Sequence, residues 1–172
     1  MSLCLVANWK LNGSREFNYQ WILDFSKSFN GENSSSLGIA PASLYIDHLK
    51  SIIGDRDIKI GAQNIDLEET GARTGEISAS MIKDLGCEFS IIGHSERRIL
   101  FHETNQIISQ KLIQANNNSV IPILCVGESA EENQSNITFN VIEQQIIESL
   151  EGVTNLNSMI IAYEPVWAIG SG

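Results

Sequence analysis

The run Met159-Ile160-Ile161-Ala162-Tyr163-Glu164-Pro165-Val166-Trp167-Ala168-Ile169-Gly170-Ser171-Gly172 changes character twice. Met159 to Tyr163 is an apolar segment of strand length. A carboxylate, Glu164, follows immediately. Pro165 then removes a backbone donor and stops the strand. Val166 to Ile169 forms a stiff apolar stretch, and Gly170-Ser171-Gly172 can bring backbone N–H groups close to an anion. A buried strand ending in a carboxylate that is hinged to a lid is a pattern for a general base kept from water.

The same unit, an apolar run with polar residues at its C-terminal end, recurs back along the chain. Leu3 to Ala7 ends in Asn8-Trp9-Lys10, and Leu37 to Ala40 ends in Pro41. Ile58 to Ala62 ends in Gln63-Asn64, Phe89 to Ile92 in Gly93-His94-Ser95-Glu96, and Val120 to Val126 in Gly127-Glu128. The strands are expected to be apolar on both faces, and Pro122 to make the fifth one irregular. Helical patterns separate them. Ser14 caps a predicted helix to Asn30 with Phe17, Trp21, Ile22 and Phe25 on one face. Others run through Leu44, His48 and Ile52, from Ser78 to Leu85, from Thr104 to Asn116, and through Phe139, Ile142, Ile146 and Leu150. Strand and helix in strict alternation predict a parallel sheet, with ligands bound at the strands' C-terminal edge. Residues 65–76 form a connection too long to be ordinary, a candidate for binding or assembly.

Composition narrows the class. The chain has 172 residues, read as one domain over 1–172, with 42% apolar residues and 21 acidic against 11 basic side chains, a formal charge of −10. That balance argues against nucleic acid and anionic membranes as partners. The N-terminus carries no secretion-signal pattern and no apolar run reaches membrane-spanning length, so a soluble cytoplasmic protein is expected. Cys4, Cys87 and Cys125 lack metal-ligand spacing and sit in apolar surroundings, so buried reduced thiols are expected.

Lys10, His94 and Glu164 together supply an ammonium to neutralise charge, an imidazole to polarise a carbonyl and a carboxylate to take a proton from the adjacent carbon. Each also has an ordinary reading: a surface lysine, a structural histidine, a solvated loop glutamate. Asn8 and Asn64 read equally as turn residues, and Glu96 with Arg97 as a structural ion pair.

Six motifs, in order, resemble those of the triosephosphate isomerase family. They are Ala7-Asn8-Trp9-Lys10, Gly61-Ala62-Gln63-Asn64, Thr74-Gly75-Glu76-Ile77-Ser78, Ile92-Gly93-His94-Ser95-Glu96-Arg97-Arg98, Cys125-Val126-Gly127-Glu128 and Tyr163-Glu164-Pro165-Val166-Trp167-Ala168-Ile169-Gly170. The resemblance implies an α/β fold of the TIM (β/α)8 barrel type. It implies an isomerase that interconverts dihydroxyacetone phosphate and glyceraldehyde 3-phosphate, with no cofactor and no metal. Glu164 is then the base, His94 the neutral electrophile, and Lys10 the cation for the enediolate and phosphate, with Asn8 beside it. Gly170 and Ser171 give N–H groups to the phosphate. Ser95 holds Glu164 while the lid is open, Glu96 lies by Lys10, and Cys125 is a structural neighbour. Thr74 enters the partner's site in a homodimer.

The chain departs from the family pattern at Ser171, where Thr is commoner, at Arg73, where an aromatic is common, and at His102, where Gly is usual. Family chains have about 250 residues and eight strand–helix units, against six units here. A polypeptide ending at Gly172 is therefore expected to be inactive and to associate abnormally. Two other readings stand beside the isomerase: an inactive partial chain, and another phosphate-binding barrel enzyme.

Overall fold

A computed structural model describes residues 4–28 and 36–168. Six parallel strands form one sheet in sequential order: β1 (Cys4–Asn8), β2 (Ser36–Ala40), β3 (Ile58–Ala62), β4 (Phe89–Ile92), β5 (Ile121–Val126) and β6 (Ile160–Tyr163). Between them lie α1 (Arg15–Ser28), α2 (Ile46–Ile53), α3 (Ala79–Asp84), α4 (Ser95–Leu100), α5 (Asn105–Asn117), α6 (Ala130–Gln134) and α7 (Thr138–Ser149). Sequential parallel order with helical crossovers curls the sheet into part of a TIM (β/α)8 barrel.

Alternation along the strands separates two cores. Ile92, Leu124 and Val126 point to the helices and join Leu49, Ile82, Ile108 and Leu112. Phe89, Ile91, Ile123 and Cys125 point to the concave side with Ala40. Phe89 shapes that inner face, because its ring occupies the place where a side chain at position 61 would stand, and Gly61 leaves the room. Leu112 and Leu124 are fully buried, and truncating either to Ala is worth about 2–5 kcal/mol.

Caps follow the sequence. Ser78 accepts from Met81 N and Thr104 from Ile107 N, each at 3.3 Å, opening α3 and α5. Ser129 and Glu132 form a reciprocal capping box on α6. The short helices α4 and α6 leave no mark in the apolar pattern, since neither carries a full amphipathic period.

Several expectations are corrected. In α2 the buried residues are Ile46, Leu49 and Ile53, whereas Leu44 is 86% exposed in the preceding 3-10 turn. The break between that turn and α2 resets the helical phase. In α1 the buried residues are Asn18 and Ile22, while Phe17 is largely exposed and packs edge-on against Trp9 at 5.1 Å. Phe139 is 89% exposed, and only Ile142, Ile146 and Leu150 of that set reach the core. Cys87 and Cys125 are buried free thiols, but Cys4 is exposed. It lies on β1, which, like β6, is paired on one side only among the described residues, and Leu5, Ile161 and Tyr163 are likewise exposed.

Pro122 leaves the β4–β5 register continuous from Phe89 opposite Ile121 to Ile92 opposite Leu124. Ile121 N donates to Glu88 O, so the alternation turns the nitrogen of Pro122 toward β6, whose pairing begins one residue later at Ile123 opposite Ile160. The missing donor falls where the described ladder has no partner for it.

Candidate active site

The polar strand-end residues converge on one edge of the sheet. After β1 the chain makes a left-handed turn at Lys10, φ 50°. Such a backbone costs a non-glycine residue about 1–2 kcal/mol, and three amide side chains brace it. Asn8 Oδ1 accepts from Lys10 N at 2.9 Å, Asn12 Nδ2 donates to Trp9 O at 2.9 Å, and Gln63 Nε2 donates to both Lys10 O and Ala40 O at 2.9 Å. The turn aims the Lys10 ammonium at Glu96 Oε1, 2.8 Å away. Asn8 thus has its amide oxygen committed to the backbone, a positioning contact. Gln63, to which the sequence reading gave no role, ties the ends of β1, β2 and β3 together.

His94 follows β4 and caps α4. Its Nδ1 accepts from Glu96 N at 3.2 Å. A ring nitrogen that accepts carries no proton, so the proton sits on Nε2. That nitrogen lies 3.4 Å from Glu164 Oε2. The ring is buried, and the Glu164 side chain is 35% exposed. Although close to His94, Glu164 Oε2 is buried without a well-formed hydrogen bond. That oxygen is left open to a further partner.

The end of β5 holds a second carboxylate. Glu128 is fully buried and accepts from Tyr163 Oη at 3.0 Å, Trp167 Nε1 at 3.0 Å and Asn133 Nδ2 at 3.0 Å. Its own carbonyl accepts from Val166 N at 3.0 Å. Burial works to raise its pKa, but the Trp167, backbone, Asn133 and Tyr163 donors outweigh burial and hold it at about 2. Glu128 therefore staples the segment after Glu164 to the end of β5. The sequence placed Glu128 at a strand end but gave it no part, because its donors are far along the chain.

Next to it, Gly127 is gripped by Gln145, which accepts from its N at 2.9 Å and donates to its O at 3.0 Å. A Cβ on Gly127 would collide with the carbonyl of Glu164. Only glycine lets the two strand ends approach this closely.

The supporting residues fall in different places. Cys125 is buried, and burial, with the Glu164 charge added, pushes its thiol up to about 12. It stays protonated and is no nucleophile. Ser95 shares a small void with Cys125 and Glu164, but among the described residues no hydrogen bond joins Ser95 to Glu164, which faces His94. Arg97 does not pair with Glu96. It bonds Glu103 at 2.5 Å, and Glu103 also takes the buried Lys111 at 2.6 Å. Lys111 donates to Asn64 Oδ1 at 2.8 Å, which fixes the strand end beside Gln63. His102 adopts φ 56°, the conformation that glycine adopts freely. Thr74 is exposed in the 65–76 loop. Gly170 and Ser171 lie outside the described residues. Among the described residues no group of three His, Cys, Asp or Glu side chains could hold a metal, and no helix is long and apolar enough to cross a membrane.

A cleft of about 620 Å³ opens beside the site, walled by Asn8, Lys10, Gln63, His94 and Glu96. A curled parallel sheet with carboxylate, imidazole and ammonium gathered at its C-terminal edge defines a (β/α)-barrel enzyme. Comparison with known proteins narrows this further. The family model described as triosephosphate isomerase matches residues 3–172. A triosephosphate isomerase of Nitrosococcus oceani is 43% identical over 170 residues, 98% of this chain and 68% of that protein. One from Escherichia coli is 41% identical over 98% of this chain and 67% of its own. The crystal structure of triosephosphate isomerase from Bartonella henselae superposes with a TM-score of 0.87 at 32% identity, covering 97% of this chain and 69% of that one. The chain belongs to the triosephosphate isomerase family.

Proposed function

We propose that this chain carries the isomerase chemistry of its family: interconversion of dihydroxyacetone phosphate and glyceraldehyde 3-phosphate in glycolysis and gluconeogenesis. The observation that carries the reading is the unpartnered Glu164 Oε2, 3.4 Å from the proton-bearing nitrogen of His94. Glu164 takes the proton from the carbon beside the carbonyl. The C–H electrons become the new C=C bond, and the carbonyl pair moves to oxygen, where the His94 Nε2–H meets the developing charge. Glu164 returns the proton to the neighbouring carbon, while the hydroxyl proton on that carbon's partner passes by way of His94 to the former carbonyl oxygen, so that carbonyl and hydroxyl change places. Hydrogen moves only as a proton and nothing is oxidised or reduced overall, so the reaction calls for no cofactor.

Lys10 supplies positive charge for the enediolate and phosphate, and Glu96 aims it. That local cation matters in a chain with a net charge of −10 that must attract an anion. In this reading Asn8 shapes the Lys10 turn, Gly170 and Ser171 offer N–H groups to the phosphate, Ser95 receives Glu164 when the lid opens, and Cys125 is packing. The protein works in the cytoplasm as a homodimer, with Thr74 of the 65–76 loop reaching a second copy. The exposed Leu11, Leu44, Leu100 and Phe101 around the cleft support that assembly.

Turnover of glyceraldehyde 3-phosphate, read through a coupled dehydrogenase, tests the reaction. Glu164→Asp withdraws the base by one methylene, and kcat is expected to fall at least ~10²-fold with KM little changed. Near-normal turnover would remove Glu164 from the role.

A further inference from the structure

The 65–76 loop is braced from within at one point. Asp66 is buried, and its N donates to Ile77 O at 2.8 Å, closing the base of the loop. Arg73 reaches back across the loop and grips the Asp66 carboxylate side-on, Nε to Oδ1 at 2.6 Å and one terminal nitrogen to Oδ2 at 2.8 Å. Glu68 N adds 2.8 Å to Oδ1, and Glu76 N returns to Arg73 O at 3.1 Å. Burial disfavours the Asp66 charge, yet the Arg73 and Glu68 donors outweigh it and hold its pKa below the ordinary carboxylate value. Two parallel bonds from a planar guanidinium fix direction as well as distance.

Beyond this brace one side chain of the body reaches the loop: Asn118 Nδ2 donates to Glu69 Oε2 at 3.0 Å. Thr70 to Glu76 are exposed, and the space where side chains at Gly71 and Gly75 would stand is empty. The loop is thus held near its base by its own contacts and by Asn118, and it presents its tip to solvent. Gly75 and Glu76 also line the cleft whose other wall carries the exposed Leu11, Leu44, Leu100 and Phe101. A knob and an apolar-rimmed hollow on one molecule fit a two-fold pairing of identical chains, each knob in the other's hollow. Charge opposes that pairing: the loop holds Asp66, Glu68, Glu69 and Glu76 with Arg73 as its one cation, in a chain of net charge −10.

We infer that Arg73, through its fork on Asp66, is the residue that pre-shapes and partly neutralises the 65–76 loop for docking into a second copy of this chain. The inference rests on the homodimer reading above. It assigns a structural reason to a cation at a position where the family commonly carries an aromatic. A ring there could pack, but could not satisfy a buried carboxylate.

The test is self-association of the purified protein by sedimentation equilibrium, with amide hydrogen exchange of the loop. Arg73→Ala strips Asp66 of its fork and is expected to raise the dimer Kd at least about tenfold, since even a single 1.4 kcal/mol loss has that effect. It should also speed exchange at Glu68 and Glu76. Arg73→Lys keeps the charge without the fork and should fall between. Asp66→Asn combined with Arg73→Ala should be no worse than the worse single change, as expected for partners in one contact. Unchanged far-ultraviolet circular dichroism checks that the variants fold. A wild-type protein that stays monomeric at micromolar concentration overturns the assembly reading and this inference with it. A wild-type dimer whose Kd ignores Arg73→Ala overturns the inference alone.

Discussion

Glu128 and Glu164 stand at the ends of neighbouring strands, and the fold treats them in opposite ways. Glu128 is surrounded by donors from Asn133, Tyr163 and Trp167. Glu164 has an oxygen buried beside His94 with no donor properly placed. The same functional group is a clamp in one place and, in the proposed reaction, a reagent in the other. The donors around Glu128 hold its carboxyl at about 2, while the buried oxygen of Glu164 is left open to a further partner. The clamp also serves the reagent: two of the groups on Glu128 flank Glu164 in sequence, so the saturated acid positions the chain that bears the unsaturated one.

Exchanging the two glutamates for amides separates these roles. Glu164→Gln removes the proposed base and is expected to lower kcat by about 10²–10⁴. Its melting temperature should barely move, because the buried oxygen has no hydrogen bond to lose. Steady-state kinetics beside calorimetry checks both halves. Glu128→Gln presents an NH2 group to donors and should cost roughly 1–3 kcal/mol of stability, measured by denaturant unfolding, with a smaller loss in kcat than Glu164→Gln gives. If Glu128→Gln proved as stable as wild type, the clamp would be an ornament of the fold.

Acid sharpens the same contrast. The folded pKa of Glu128, about 2, lies below its ordinary 4.5. Its contribution is therefore fully present above about 4.5 and drains away as pH falls toward about 2. The stability difference between wild type and Glu128→Gln should shrink across that window, and a difference constant with pH would contradict the assignment. Smallest of all, Trp167→Phe deletes one of the donors and should cost about 0.5–1.5 kcal/mol. Carbon-13 titration should then find the Glu128 carboxyl at a higher pKa.

Local chemistry made much of this legible. Apolar runs of strand length gave β2 to β5 nearly to the residue, and the polar residues soon after such runs put Lys10, His94 and Glu164 at one edge of the sheet. What escaped depends on register and distance. Gln63 matters because it reaches the carbonyls of Lys10 and Ala40, which only the strand order brings near. Glu128 matters because Tyr163 and Trp167 cross over from the next strand. The face of α2 was misplaced because the break after Tyr45 resets the helical count. Cys4 was misjudged because an apolar run cannot report how many neighbours its strand has.

The contact at Gly127 has a mechanical consequence. On one side its peptide groups are clasped by Gln145 of α7, and on the other its α-carbon faces the carbonyl of Glu164. The spacing between two strand ends is thus gauged by main chain against main chain. Side chains can change rotamer to absorb an error, but a backbone stop has no such slack. The main-chain stop at Gly127 therefore sets where the root of Glu164 stands relative to the end of β5. For the proposed proton transfer, which works over fractions of an ångström, a stop of this kind would fix the starting position of the Glu164 carboxylate.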